Sequence, residues 1–257
     1  MNTFFLDRLN SEPHALAFAG QSTPWPVALA DQSANPALDE ALHTHAAAAQ
    51  ALLYPVSAEL LATTGRPVDL FGFEPNPARL GAAAAASASV PGIALTQLGA
   101  LLDAAALGYN PAQAKPVAVL GHSQGVLAVH MVQAICEAGS IDAAAAKIDE
   151  ILAIATLIGV AGTRQARQLG LAARHGEATP MLSVKDITRA QVDALIERVD
   201  GARGPIAVAV TNSATHYVLS GYPEDLAAFG VEVAKEHKHQ AKLREEKVRG
   251  GRVFEPV

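Results

Sequence analysis

The chain has 257 residues, of which 50% are hydrophobic and 5% aromatic, so it can bury a large core made mainly of Ala, Leu and Val. This composition favours helices packed around a sheet over an aromatic-rich β-sandwich. A formal net charge of −6 argues against a nucleic-acid partner. The single cysteine excludes a disulfide framework within the chain, and no zinc-ligand spacing is present.

The amino terminus does not have the pattern of a secretion signal. Residues 1–10 include Asp7 and lack a basic start followed by a long apolar run. The longest strongly apolar stretch, 151–162, is too short to span a bilayer. We therefore expect a cytoplasmic protein with no membrane partner.

The first predicted elements are one strand followed by two helices. The apolar run 14–19 predicts a buried strand that ends at Gly20. Residues 36–62 have helical character, interrupted at Pro55. Residues 91–107 predict a helix, because their leucines are spaced for one buried face.

The next elements complete a large α/β subdomain. Residues 116–120 form an uninterrupted apolar run, typical of a parallel strand buried on both faces. Helical spacing returns from Gly125, and 141–169 predict another, very apolar helix. We expect this subdomain, with its parallel sheet, to cover residues 1–179.

Residues 180–257 predict a smaller, separate subdomain. The predicted order is strand 181–184, helix 189–199 with Thr188 as its N-cap, strand 206–210, strand 216–220 and helix 223–238. This order is most of a ferredoxin-like unit, and residues 252–257 would begin the fourth strand. We expect a ferredoxin-like subdomain whose fourth strand is incomplete.

The segment Gly121-His122-Ser123-Gln124-Gly125 has the G-x-S-x-G pattern of a nucleophile elbow. In that turn a serine between a buried strand and a helix is held with its hydroxyl exposed, and the glycines prevent collisions across the turn. The helix amino terminus provides N–H groups for a developing oxyanion. The flanking strand and helix favour Ser123 as a nucleophile over a glycine-rich turn with an exposed serine.

The elbow, together with Phe18-Ala19-Gly20-Gln21, resembles the acyl-carrier-protein S-acyltransferases of fatty acid and polyketide synthesis. The greatest resemblance is to the amino-terminal acetyltransferase domain of the type I fatty acid synthases of actinobacteria. Other matching segments are Val90-Pro91-Gly92, 121–130, Asn212-Ser213, Leu219-Ser220-Gly221 and 247–257. The resemblance covers nearly the whole chain and implies an α/β-hydrolase-like large subdomain beside the ferredoxin-like one.

The resemblance also implies a reaction and its residues. Ser123 would attack the thioester of acetyl-CoA and pass the acyl group to the phosphopantetheine thiol of an acyl carrier protein, without a metal or other cofactor. The oxyanion hole would be formed by the backbone N–H groups of Gln21 and Gln124, each worth roughly 3 kcal/mol of barrier. His122 and Asn212 would line the pocket, although Asn212 could equally stabilise a turn.

Acyl preference depends on residue 158. Malonyl-selective relatives have an Arg-Gly pair where this chain has Ile158-Gly159. An isoleucine leaves a malonyl carboxylate buried without a charge partner, so an uncharged acetyl group fits better. The alternative is that Ile158 is an ordinary residue of a helix core.

In the resembled family the base is a histidine beyond the small subdomain, and none of the nine histidines here matches it. We therefore expect an amino-terminal piece of a longer synthase that is slow or inactive alone.

Two alternatives stay open. An α/β-hydrolase-type esterase or thioesterase would complete its triad with Asp186 or Asp225 and His216 or His237. A non-catalytic fragment would serve only in synthase assembly. Cys136 is predicted to be a small buried hydrophobic residue.

Overall fold

The computed structural model describes residues 8–20, 25–53, 70–71, 86–168, 181–199 and 204–250. The chain divides into two compact units, Met1–His175 and Gly176–Val257. The division falls four residues before the expected boundary after residue 179. Each unit has its own hydrophobic core.

The first unit combines a parallel strand pair with helices. Its elements are β1 (Ala15–Phe18), α1 (Trp25–Ser33), α2 (Pro36–Leu53), α3 (Ala86–Ala106), α4 (Pro111–Ala114), β2 (Ala118–Gly121), α5 (Gly125–Ala138) and α6 (Ile141–Gln168). β1 and β2 pair in parallel, with Phe18 opposite Gly121. Because parallel strands end at the same edge of a sheet, the segments after β1 and β2 leave it side by side. The predicted α/β class is confirmed.

Helix α3 forms the centre of the first core. It packs against α1, α2, α5 and α6, and its Leu98 is fully buried with Leu42, Met131 and Ile148 from three of those helices. Burial of each such side chain contributes about 1.5–3 kcal/mol. By length and composition α3 is the one described helix that could cross a membrane, yet 72% of its apolar window is buried inside the protein.

Helix α3 begins at Ala86, five residues before the predicted start at Pro91. The sequence prediction rested on the spacing of apolar residues from Ile93 onward, which does not extend into the small residues before Pro91. The extra turn is stabilised by a tertiary contact: the Ser87 N–H donates to the Thr163 hydroxyl of α6 at 2.9 Å. This bond satisfies one of the unpaired N–H groups at the helix start.

Strand β2 lies where the apolar run predicts it, but the expectation of burial on both faces is wrong. Just before β2, Val117 is 72% exposed, and Leu120 within it is 60% exposed. The apolar run predicts a strand, whereas its covering depends on which elements pack against it. Among the described residues, β2 pairs with β1 alone.

The second unit has the predicted order of strand, helix, strand, strand and helix. Its elements are β3 (Met181–Lys185), α7 (Arg189–Val199), β4 (Ala207–Ser213), β5 (His216–Ser220) and α8 (Pro223–Gly250). The sheet order is β3-β5-β4, with both pairs antiparallel. Phe229 of α8, Leu219 of β5 and Val192 of α7 are fully buried in its core. The fourth strand expected at 252–257 lies outside the described residues.

The two helices of this unit differ in how well their ends were predicted. Thr188 caps α7 as expected, because Thr188 Oγ1 accepts from the Gln191 N–H and the Gln191 side chain accepts from the Thr188 N–H. Helix α8 runs to Gly250, well beyond the predicted end at Lys238. The residues after Lys238 are mostly strong helix formers with no glycine or proline before Gly250, and they continue the helix.

Candidate active site

Ser123 lies on the turn between β2 and α5 and adopts a left-handed backbone, with φ of 54°. Its side chain is exposed. A left-handed backbone costs a non-glycine residue about 1–2 kcal/mol, so it persists only where the surroundings impose it. A strained, exposed serine between a strand and a helix is the geometry of a nucleophile elbow.

The two glycines of the motif allow the turn to close. A Cβ on Gly121 would lie 2.5 Å from the Gly125 carbonyl oxygen. A Cβ on Gly125 would collide with the backbone carbonyl of Phe18, at the end of β1. The turn is therefore clamped between its own backbone and the neighbouring strand, which explains why Ser123 is held in its strained conformation.

The segment after β1 contacts the elbow directly. A Cβ on Gly20 would lie 2.5 Å from the His122 carbonyl oxygen and 2.7 Å from Ser123 Cβ. The same position is 3.2 Å from the Gln124 nitrogen. Only a glycine permits this approach, so the two halves of the predicted site meet at Gly20. Gln21, the other predicted oxyanion donor, lies outside the described residues.

The backbone N–H groups of the elbow differ in whether a carbonyl oxygen accepts from them. The His122 N–H donates to the Phe18 carbonyl at 3.0 Å, and the Gly125 N–H donates to the His122 carbonyl at 2.9 Å. Within the described part of the chain, the Gln124 N–H has no acceptor. It stands at the start of α5, where the helix dipole favours negative charge. The Gln124 N–H can therefore donate to an oxyanion.

No base contacts the candidate nucleophile within the ranges that the structure describes, where Ser123 Oγ has no hydrogen-bond partner. The side chain of His122 is exposed on the turn beside it. The structure thus brings His122, Ser123 and Gln124 together with Gly20. It does not assign a proton acceptor to Ser123 among the described histidines.

Ile158 lies on α6 and is 51% exposed, so it is not part of a helix core. It belongs to a group of exposed apolar side chains on the elbow helix α5 and on α6, namely Val126, Ile154, Leu157 and Ile158. An apolar groove between the two helices includes Val126 and Ile154, with His130 at its edge. Ile158 therefore presents an uncharged surface on the helix after the elbow helix.

Asn212 lies in the second unit, near the end of β4 and just before the turn to β5, so its roles in the pocket and in stabilising that turn both stay predictions. Its side-chain nitrogen is 3.4 Å from His216 Nε2, which also lies 2.9 Å from Ser183 Oγ. In the part of the chain described, His216 Nε2 thus contacts a hydroxyl and an amide, not the carboxylate that a triad needs.

Cys136 is exposed, near the end of α5, and the prediction of a buried residue is wrong. Helical spacing placed it beside Ile135 but could not show which side of α5 is covered. Desolvation by neighbouring atoms, and then the Glu137 carboxylate, raises the pKa of the Cys136 thiol. Across the residues that are described, no three His, Cys, Asp or Glu side chains come together as metal ligands.

The raised pKa predicts slow alkylation of Cys136. Because the thiolate is the reactive form, a higher pKa leaves less of it at neutral pH. We expect the rate of reaction with iodoacetamide to rise with pH and reach half its maximum at a higher pH than for N-acetylcysteine. A midpoint pH equal to or below that of N-acetylcysteine would contradict a raised pKa of the Cys136 thiol.

Two polar contacts in the first unit were not predicted. Gln97 of α3 donates from Nε2 to the Ala19 carbonyl oxygen at 2.5 Å. His45 of α2 and Asp149 of α6 pair at 2.7 Å between Nδ1 and Oδ1. In the sequence, each contact was indicated only by one polar residue at a helical position where a buried apolar residue is expected. Its partner lies far away in the sequence, so the sequence did not identify it.

Comparisons with known proteins show similarity in sequence and in fold. Residues 180–257 match the family model described as the fatty acid synthase central AT domain. The fatty acid synthase beta subunit hexB of Dothistroma septosporum is 30% identical over 128 residues, which are 45% of this chain and 7% of that protein.

Solved transacylases share the fold. The malonyl CoA-acyl carrier protein transacylase of Coxiella burnetii superposes with a TM-score of 0.51 at 17% identity, over 88% of this chain and 58% of its own. MCAT from Mycobacterium tuberculosis superposes with a TM-score of 0.54 at 20% identity, over 84% of this chain and 58% of its own. A malonyl-transacylase solved with a type II polyketide synthase acyl-carrier protein superposes with a TM-score of 0.50 at 16% identity, over 88% of this chain and 60% of its own.

The chain therefore spans about three fifths of the length of these solved transacylases and 7% of the fungal subunit. The comparisons confirm the resemblance to the acyl-carrier-protein acyltransferases: residues 180–257 match the fatty acid synthase AT family, and the chain has the α/β-hydrolase-like fold of the malonyl-CoA transacylases.

Proposed function

We propose that the chain is part of an acyltransferase of fatty acid synthesis, in which Ser123 carries the acyl group. The observation that supports this most directly is the strained, exposed Ser123 in contact with Gly20 and next to the Gln124 N–H, which has no acceptor among the described residues. A serine in this position can attack a carbonyl while the amide donates to the oxygen that becomes negative. The match of residues 180–257 to a fatty acid synthase domain supports the same pathway.

The proposed reaction has two half-reactions at one atom. Ser123 Oγ attacks the thioester carbonyl of acyl-CoA, the carbon–sulfur bond breaks, and the thiol of coenzyme A leaves with the proton from the serine. The phosphopantetheine thiol of an acyl carrier protein then attacks the serine ester, and the Ser123 hydroxyl is regenerated. Charge on the carbonyl oxygen develops twice, and the Gln124 N–H would stabilise it both times. Neither half-reaction needs a metal or a redox cofactor.

The partners follow from this chemistry. The donor is acetyl-CoA, the acceptor is an acyl carrier protein, and the working enzyme includes further parts of a synthase that supply the base. A transacylase of the same fold was solved with its acyl-carrier protein, which supports an acceptor of this kind. We place the reaction in the cytoplasm, as the site where the donor acetyl-CoA and the acceptor carrier protein meet.

The test is mass spectrometry of the intact chain after exposure to acetyl-CoA. We expect a covalent acetyl adduct on Ser123 that disappears when an acyl carrier protein bearing phosphopantetheine is added, with acetyl appearing on the carrier. Loss of the adduct to water at the same rate without the carrier would instead indicate an esterase or thioesterase. If no adduct forms even when the base-containing part is supplied, a non-catalytic role in synthase assembly is favoured.

Acyl preference is proposed to be for acetyl over malonyl, because Ile158 offers no cation to a second carboxylate. Replacing Ile158 with arginine is expected to raise loading from malonyl-CoA relative to acetyl-CoA, since a guanidinium can hold a carboxylate with two hydrogen bonds. Competition between the two thioesters for Ser123, read by mass spectrometry, measures the ratio.

The control for this variant is Leu157→Arg, which adds the same charge one residue away on the exposed part of α6. An equal change in both variants would mean that only general electrostatic attraction has been added. Faster loading of malonyl than of acetyl by the unmodified chain would overturn the proposed preference.

A further inference from the structure

Gln97 is a buried polar residue in the middle of the core helix α3. Only 8% of its surface is exposed, and its helix neighbours Leu95 and Leu98 are fully buried core residues. Its Nε2 donates to the Ala19 carbonyl oxygen, while its Oε1 is buried and has no partner in the part of the chain that the structure describes.

This arrangement is unfavourable for stability alone. A buried carboxamide loses its hydration, and that loss is offset only when its donors and acceptors are paired. Gln97 uses one donor and leaves a buried acceptor without a partner among the described residues, whereas an apolar side chain of the same length would fill the space without this loss. An unpaired buried group in a folded protein therefore requires another explanation.

The carbonyl that Gln97 binds belongs to the peptide that leads into Gly20. Because a trans peptide is planar, holding the Ala19 oxygen also fixes the direction of the Gly20 N–H. Gly20 in turn is in contact with the backbone of His122 and with Ser123 Cβ. This hydrogen bond from α3 thus contributes to how the 19–20 peptide lies against the elbow, across 78 residues of sequence.

We propose that Gln97 is a positioning residue for acyl transfer, which rests on the function proposed above for Ser123. Its carboxamide holds the 19–20 peptide so that Gly20 and the Gln124 N–H keep a fixed geometry around the reacting carbonyl. Residues that set such geometry can change the rate by large factors without touching the substrate, because small displacements misalign the reacting groups.

The experiment compares Gln97→Met with Gln32→Met in the full chain. Gln32 of α1 is a matched control, because its Nε2 also donates to a backbone carbonyl, that of Thr96 on α3, and its Oε1 is also buried and unpaired among the described residues. Its bond does not involve the segment that contacts the elbow. Methionine keeps the length of the side chain and removes the amide.

Three quantities are measured: the rate of Ser123 acylation at saturating acetyl-CoA, the concentration for half-saturation, and hydrogen exchange of the 15–20 segment. We expect Gln97→Met to lower the acylation rate by about 10- to 100-fold with half-saturation unchanged. Exchange in the segment should become faster. Gln32→Met should leave all three close to the values of the unmodified chain, even if both variants lose similar thermal stability.

Equal acylation rates in the two variants would overturn the proposal. If the unmodified chain is not acylated even when the base-containing part is supplied, the proposed function of Ser123 fails, and hydrogen exchange then tests the positioning role separately. Unchanged protection of the 15–20 segment in Gln97→Met then refutes the positioning role.

If Gln97→Met does not fold, Gln97→Glu replaces it. A protonated glutamic acid can still donate to the Ala19 carbonyl, so the rate relative to the unmodified chain should recover as pH falls. A relative rate that does not change with pH would count against the role.

Discussion

Replacement of Ser123 with alanine is expected to abolish the covalent acetyl adduct and to lower any transfer to an acyl carrier protein by about 10⁴-fold or more. The hydroxyl is the only group on this turn that can form the proposed ester, and its backbone geometry presents it outside the fold. Intact-mass spectrometry after exposure to acetyl-CoA measures the first effect, and label transfer to the carrier measures the second. An adduct of unchanged amount in Ser123→Ala would place the acyl group elsewhere and end the proposal.

The same position allows a test that does not depend on activity. At φ of 54°, alanine should retain the backbone strain that serine bears, whereas glycine adopts a positive φ without steric cost. We expect Ser123→Gly to be more stable than Ser123→Ala by about 1 kcal/mol in the free energy of unfolding. Urea denaturation of the two variants measures this difference. Equal stabilities would show that the turn is relaxed, and the argument from strain would fail.

Replacement of Gly125 with alanine is expected to destabilise the first unit by about 1–3 kcal/mol, because the new methyl group would collide with the Phe18 backbone. The turn can relieve the collision only by moving away from β1, and this would also move Ser123 from the segment that includes Gly20. We therefore expect a lower free energy of unfolding together with a slower acylation of Ser123. Urea unfolding and the acetylation assay measure the two effects on the same preparations.

Gly162→Ala is the matched control for that substitution. Gly162 lies in α6, and among the described residues a Cβ there meets only the Ala86 side chain, at 3.4 Å, an ordinary contact. An alanine in a helix interior is favoured over glycine by about 0.5–1 kcal/mol, so this variant should be slightly more stable with unchanged acylation. If both glycine variants behaved alike, close packing of Gly125 against β1 would not be what holds the elbow in place.

Local patterns in the sequence were sufficient for most of the elements and for the elbow, but not for α1 and α4. Apolar runs of strand length predicted β1 and β2, and the spacing of G-x-S-x-G between a strand and a helix predicted the turn at Ser123. Thr188 predicted the start of α7, where the structure pairs it with Gln191. Each of these features depends on residues only a few positions apart, and their physical causes, namely side-chain periodicity, capping and steric limits on the backbone, act over that range.

Contacts between distant residues were decided only by the tertiary structure. The start of α3 depends on the Thr163 hydroxyl, and the exposure of Leu120 and Cys136 depends on which elements pack against them. The approach of Gly20 to Ser123 follows from the parallel pairing of β1 and β2, which are about a hundred residues apart in the chain. One sequence pattern is compatible with several packing partners, because hydrophobic burial has no direction. The partner that is chosen determines which peptide groups surround the serine.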